Sequence, residues 1–388
     1  MAESPGRLLT PAFIALTVSD LAYFSAAGVL ISTTPVFVTT DLGSDAAGVG
    51  LAIGAFSVTT LILRPLAGRW VDRRGRRALL VGGALLFAVV VLGHYLVVSL
   101  VGLVALRLLL GAAEAAYFVA GFAALADLAP PGRTGEALSV NSLALYAGLA
   151  IGPVLGEVLT SAGGFDAAWA GAAALAGAAA VLALRVPETR PEVRDNMAPG
   201  ALVHRPAVLP GLALFCGVAA SAGFLAFAVL HARALGVQPW SSVLAVYGVT
   251  VVLCRTVFAG VPDRFPPLRL AAGALALTAV GLFTVGTVRA PAGLFTGCVL
   301  LGVGTAFVTP AVFAAVMSSV APSERGSAAA TTSVFIDLGL SGGPLVVGLA
   351  AAATTIPSAL FLLGGMPLLG AVLLLPRLHA RLTGRSTA

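Results

Sequence analysis

Asp20, Arg107, Glu114 and Asp337 each interrupt a long apolar run of the chain. A charge at the centre of a bilayer costs about 2.5–3.5 kcal/mol on insertion scales, so such a residue persists where it is paired or lines a polar cavity. Arg107, Gly111 and Glu114 are spaced i, i+4 and i+7, so one helix face can aim a cation and an acid at the same cavity. Asp20 falls about midway along the first apolar run, where loss of water favours the neutral carboxyl and lets it take a proton near neutral pH. The plain alternative for each is a static buried ion pair or a polar contact between packed helices. Groups for bond chemistry are missing from the sequence pattern: no phosphate-binding Gly-rich loop, no Gly-x-Ser-x-Gly elbow and no paired Cys/His cluster. Cys216, Cys254 and Cys298 lie singly in apolar segments, and His94, His204, His231 and His379 are scattered. No enzyme, metal site or cofactor is expected.

The elements that position these residues must be membrane helices. The 388 residues are 59% hydrophobic and only 10% charged, against about 25% charged in an average soluble domain. A crossing takes roughly 20 apolar residues. Cutting at charged, Pro-rich or Gly-rich breaks leaves twelve such stretches, at 11–37, 46–67, 78–99, 101–126, 136–160, 167–185, 207–230, 241–261, 269–288, 291–317, 327–352 and 356–376. The net charge of +6 comes from 22 arginines and no lysine. These sit in short connections, with no basic face interleaved with aromatics, so no nucleic-acid partner is expected. If the first helix starts in the cytoplasm, the inner loops and tails hold 17 arginines and the outer loops only Arg233 and Arg289. That asymmetry places both termini in the cytoplasm of a multi-pass protein of the cell membrane.

The longest polar stretch separates six apolar spans from six. It defines an N-terminal bundle, 1–185, a linker, 186–206, and a C-terminal bundle, 207–388. A constant offset of 191 residues pairs Arg64 with Arg255, Asp72 with Asp263, Arg73 with Arg264, Gly111 with Gly302, Gly148 with Gly339, Gly152 with Gly343 and Pro153 with Pro344, without a gap. Two homologous six-helix bundles related by an axis along the membrane normal are the direct reading.

Between spans two and three runs Gly68-Arg69-Trp70-Val71-Asp72-Arg73-Arg74-Gly75-Arg76-Arg77. Together with the two-half repeat, this loop resembles the cytoplasmic loop motif of the major facilitator superfamily. Arg107 with Gly111, and the Gly148-x-x-x-Gly152-Pro153-x-x-Gly156 pattern of span five, resemble further signatures of its drug/proton antiporters. Two positions depart from that pattern: Glu157 stands where a second Gly is usual, and Ala113 where span four often has Gly. The resemblance implies an all-α integral membrane fold of twelve helices in two six-helix bundles. It also implies a secondary active transporter exporting a small organic molecule in exchange for protons by alternating access. A proton-coupled uptake symporter for a sugar or organic acid is the nearest rival, and a non-transporting receptor a more distant one.

On the same resemblance, Asp20 and Glu114 are the proton-coupling acids and Arg107 their charge partner. Gly68, Asp72, Arg73, Gly75, Arg76 and Arg77 form a gating latch, with Asp127 as partner of Arg73 or Arg77, and Asp263 and Arg264 form its weaker counterpart. Gly148, Gly152, Pro153 and Gly156 allow helix bending. Tyr23, Tyr117, Tyr146, Phe227, Phe335 and Asp337 are candidates to line a substrate cavity suited to amphipathic molecules. The partners expected are a small-molecule substrate, protons and the lipid bilayer, the energy source is the proton gradient, and the bundle is expected to work as a monomer. A fluorescent protein fused after Ala388 should mature, while an alkaline phosphatase that folds only outside the cytoplasm should be inactive at the same position; the opposite pair of results would invert the topology.

Overall fold

The computed structural model describes residues 7–130, 133–189, 204–320 and 324–382, and regular structure among them is helical. The helices are α1 (Pro11–Thr40), α2 (Ala46–Arg74), α3 (Arg76–Leu92, extended by a 3-10 turn, Gly93–Leu96), α4 (Leu100–Leu128), α5 (Thr134–Ala183), α6 (Arg205–Ala234), α7 (Ser242–Val257), α8 (Val261–Arg264), α9 (Pro267–Thr287), α10 (Pro291–Met317), α11 (Arg325–Ala353), α12 (Ile356–Leu363) and α13 (Gly365–Leu382). Among the described residues, ten stretches are long and apolar enough to cross a membrane, and α7 is apolar but only 16 residues long. With no water in the bilayer core, a spanning chain must satisfy its backbone groups within its own helices, which is why the apolar runs all take this form.

α5 is two crossings. At about 1.5 Å per residue its 50 residues would reach about 75 Å, far beyond a core of about 30 Å. Gly163 and Gly164 leave helical geometry, Gly164 at φ 69°, a conformation glycine adopts without steric cost. The chain folds back there, because Leu159 on one arm packs directly on Gly171 of the other. α12 and α13 meet at Gly364 and cross together. Among the described residues, the two arms of α5, the nine other long stretches and the shorter α7 make twelve apolar helical segments.

The chain divides into two compact units: residues 1–37 with 55–195, and residues 38–54 with 196–388. The segment 38–54 thus groups with the second unit, whereas the repeat assigns it to the first half. The reason is local packing, since a Cβ on Gly50, Gly54 or Gly348 would meet Pro344 O at 2.5 Å, Ser341 O at 2.9 Å or Ala46 O at 2.7 Å. These small residues let the start of α2 lie backbone to backbone on α11.

The 191-residue repeat recurs as contacts. In the first unit Gly152 of α5 rests on the Ser25 carbonyl and, at 2.7 Å from its would-be Cβ, on Gly28 Cα of α1; in the second, Gly343 of α11 rests on the Ala219 carbonyl and Ala219 Cα of α6. Gly111 of α4 packs on the Phe56 carbonyl and Thr59 of α2, as Gly302 of α10 packs on the Tyr247 carbonyl and Thr250 of α7. Gly28 and Ala219, Phe56 and Tyr247, and Thr59 and Thr250 are again 191 residues apart. Gly152→Val should therefore cost about 1–3 kcal/mol by overpacking and lower the detergent melting temperature, whereas Gly82→Ala, which has open space around it, should raise the melt slightly because alanine suits a helix interior better than glycine.

Candidate functional site

The first unit encloses a polar cluster built on α1, α4 and both arms of α5. Asp20 lies a third of the way along α1 and is 5% exposed. Tyr117 of α4 donates to its Oδ1 at 2.8 Å, and Asn141 of α5 donates to its Oδ2 at 2.6 Å. The Ser19 hydroxyl lies 2.8 Å from the Tyr117 hydroxyl and 2.8 Å from the Ala179 carbonyl on the second arm of α5. The Tyr23 ring stacks on Tyr117 at 3.9 Å between centroids and packs on Phe87 of α3 at 4.8 Å. Glu114, one turn before Tyr117 on α4, is buried and faces the Tyr23 hydroxyl. Both hydrogen-bond partners of the Asp20 carboxylate are thus neutral amides or phenols.

These positions follow from helix periodicity. Glu114, Tyr117 and Gly121 share one face of α4, and Gly121 lies beside Asp20, whose Oδ1 would be in ordinary contact, 3.8 Å, with a Cβ there. Gly83 admits α4 against α3, with the Ala113 carbonyl 2.9 Å from its would-be Cβ.

The structure redistributes several expected roles. Arg107 is buried, but its guanidinium lies over the Phe56 ring of α2, 5.3 Å from the centroid. It is ten residues from Tyr117, about 15 Å along the helix axis, so Tyr117 and Asn141, rather than Arg107, hold Asp20. Tyr23, Tyr117 and Phe227 are fully buried inside their own units, and Tyr117 also donates to Asp20. Tyr146 and Phe335 are half-buried, and Phe335 packs directly on Gly211 of α6. Asp337 is 2% exposed on α11. Gly148 packs against Leu21 O, Phe24 Cβ and Ser25 N, each 2.9 Å from its would-be Cβ, and Gly156 packs on Ser32. The Gly-Pro pattern of span five is thus the α1–α5 contact itself.

At the arginine-rich end, Asp127 of α4 pairs with Arg76, Nε to Oδ2 at 3.0 Å, and with neither Arg73 nor Arg77, both of which are exposed. Arg76 sits at the first position of α3, where its stem is buried and its Nη1 also donates to Val71 O at 3.3 Å. Gly75, at φ 93°, makes the tight turn between α2 and α3, and the Glu188 carboxylate packs on it. Glu188 accepts from the Arg76 backbone N–H at 2.7 Å, a carboxylate on a helix N-terminus. Thr189 donates to Asp127 Oδ2 at 2.8 Å. Gly68 faces open space and Arg264 is exposed. The side chains of Asp72 and Asp263 lie outside the described residues.

Sequence reading missed Ser19, Asn141, Glu188 and Thr189. The repeat held the signal for the first two. At the 191-residue offset, Ser19, Asp20, Tyr23, Glu114, Tyr117 and Asn141 correspond to Pro210, Gly211, Leu214, Thr305, Val308 and Thr332. Leu214 and Val308 belong to the apolar core of the second unit. One scaffold packs this place with carboxylates and phenols in the first half and with apolar or hydroxyl side chains in the second.

Comparison with known proteins agrees with this architecture. The family model described as Major Facilitator Superfamily matches residues 13–344 and 241–387. An uncharacterized MFS-type transporter of Burkholderia pseudomallei (strain 1106a) is 32% identical over 323 residues, 78% of this chain and 76% of that protein. Multidrug resistance protein 1 of Bacillus subtilis (strain 168) is 34% identical over 196 residues, 48% of this chain and 46% of that protein. Among solved structures, a bacterial homologue of the human lysosomal transporter Spinster superposes with a TM-score of 0.80 at 13% identity, covering 97% of this chain and 98% of that one. With the family match and these relatives, the repeated bundle of apolar helices is that of a multi-pass membrane transporter of small molecules and not of an enzyme. The chain belongs to the major facilitator superfamily.

Asp127→Ala would leave the buried Arg76 without its carboxylate, at an expected cost of about 1–3 kcal/mol. Glu188→Gln keeps an acceptor and removes only the charge at the helix N-terminus, at about 0.3–1 kcal/mol. Melting temperatures of the purified variants should fall in that order; equal stability of Asp127→Ala and wild type would show that the pair is not structural.

Proposed function

We propose that this transporter is a proton-coupled exporter of a small organic molecule, a drug or metabolite, with Asp20 as the group that takes and releases the proton. The observation that carries the reading is the asymmetry between the halves. A buried polar cluster can often be replaced by apolar residues with no loss of stability, and the second half of this chain packs the equivalent place without acids. The first half therefore keeps Asp20 and Glu114 for use rather than for folding. A carboxylate held by neutral partners exists as acid or anion without breaking an ion pair. The Bacillus relative, whose name records multidrug resistance, supports export and an amphipathic drug-like substrate. In this reading the proton gradient is the only energy source, no cofactor or metal takes part, and a monomer is sufficient. The protein sits in the cell membrane with both termini in the cytoplasm, as the arginine asymmetry supports.

The test is substrate-induced proton release from purified protein in lightly buffered detergent, with organic cations and neutral amphipaths as probes. Wild type should release protons on binding, and Asp20→Asn should bind without release. In inverted vesicles an imposed gradient should drive accumulation of the same probe. Accumulation confined to right-side-out vesicles would overturn export, and unaltered proton release from Asp20→Asn would overturn the role of Asp20.

A further inference from the structure

Three oxygen–oxygen contacts run in series from Asp20 Oδ1 to the Tyr117 hydroxyl, to the Ser19 hydroxyl, to the Ala179 carbonyl, each 2.8 Å long. At that length each contact calls for one hydrogen between its oxygens. The two hydroxyls supply two hydrogens. When Asp20 is an anion, Tyr117 donates to it and Ser19 donates either to Ala179 or to Tyr117. One of the three contacts is then left with no hydrogen. When Asp20 carries its proton on Oδ1, the count closes: Oδ1–H donates to Tyr117, Tyr117 donates to Ser19, and Ser19 donates to Ala179. Releasing that proton turns the Tyr117 hydroxyl back toward the carboxylate and empties a contact further along the chain.

We infer that Ser19 and Tyr117 form a two-hydroxyl relay that registers the proton on Asp20 and passes its presence to the second arm of α5. This rests on the reading that Asp20 is the proton carrier. It adds Tyr117 and Ser19 as positioning residues that set the proton affinity of Asp20 and tie three helices to its charge state. Three observations favour the relay over simple packing. The chain runs across α1, α4 and the second arm of α5, so it is not an intrahelical back-bond. Asn141 fixes the other carboxylate oxygen at 2.6 Å, so Oδ1 is held toward Tyr117. At the 191-residue offset the chain has no hydroxyl equivalent, because Ser19, Tyr117 and Ala179 correspond to Pro210, Val308 and Gly370. The other titratable groups facing this place are Tyr23 from α1 and Glu114 from α4. Glu114 faces the Tyr23 hydroxyl, and the three contacts run through Asp20, Tyr117 and Ser19. From α3 the neighbours are apolar, Leu80 and Phe87, and α5 contributes the neutral amide of Asn141.

The experiment is a pH titration of the protonated-carboxyl infrared band in purified full-length protein, which needs no knowledge of the substrate. Asp20→Asn identifies the Asp20 component and separates it from Glu114. Tyr117→Phe keeps the ring stack on Tyr23 and removes only the hydroxyl, and Ser19→Ala is a second variant that removes the next link. Each should move the midpoint of the Asp20 band by about one pH unit, the worth of one hydrogen bond to a charged group. The double variant should move it no further than the larger single shift, because a series relay is already broken by one cut. An Asp20 band whose midpoint is unchanged in Tyr117→Phe, or shifts that add in the double variant, would overturn the relay and leave the Asp20 reading standing. A titration with no component lost in Asp20→Asn would overturn both.

Discussion

Close approach of helix backbones is the constraint on which both halves of this protein depend. In a bilayer, lipid tails are as apolar as leucine side chains, so helices gain little by hiding leucine from lipid and must gain by van der Waals contact over short distances. The chain meets this with glycine at the crossings: Gly28 against Gly152, Gly111 against Phe56 and Thr59, Gly343 against Ala219, Gly302 against Tyr247 and Thr250. The same crossings occur at one sequence offset in both halves, so the repeat is a repeat of contacts as well as of letters. A Cβ at most of these positions would fall inside a neighbouring backbone, which explains why a chain with 46 glycines spends so many of them inside helices, where glycine is otherwise unfavourable.

With the scaffold fixed in this way, the two units are free to differ in chemistry. The second fills its centre with Leu214, Leu275, Val308 and Val312. The first places Asp20, Tyr117, Ser19 and Asn141 in the corresponding space and closes every carboxylate oxygen with a neutral donor. Gly83 supplies the close approach of α4 to α3 that seats Tyr117. A buried acid without an arginine beside it differs from an ion pair in one respect that matters for transport: its two protonation states are not separated by the cost of breaking that pair.

The arginine-rich end is organised by a residue with no obvious motif role. Glu188 follows the last turn of α5 and packs on Gly75 while accepting from the Arg76 N–H, and Thr189 joins Arg76 on Asp127. The loop between α2 and α3, the end of α4 and the exit of α5 are thereby tied together at one point. Only Gly75, at φ 93°, lets the chain turn from α2 to α3 within one residue and leaves space for the carboxylate.

Apolar run length, arginine placement and the 191-residue offset determined by themselves that this is a two-fold repeated, twelve-crossing membrane protein, because each is a property of residues near one another in the chain or at one constant spacing. The same information picked out Asp20 and Glu114, since a charge in an apolar run is conspicuous wherever it lies. Partners were another matter. The spacing of Arg107 and Glu114 on one face of α4 suggested that the cation would serve the acids, yet the rotation and depth of α4 against α1 put Tyr117 beside Asp20 and Arg107 over Phe56. Loop spacing likewise pointed to Arg73 or Arg77 as the partner of Asp127, and the turn at Gly75 selected Arg76. Such pairings join residues about 50 to 160 positions apart. They are fixed by how far one helix slides and turns against another, a quantity set by glycine contacts between helices and visible only once the chain is folded.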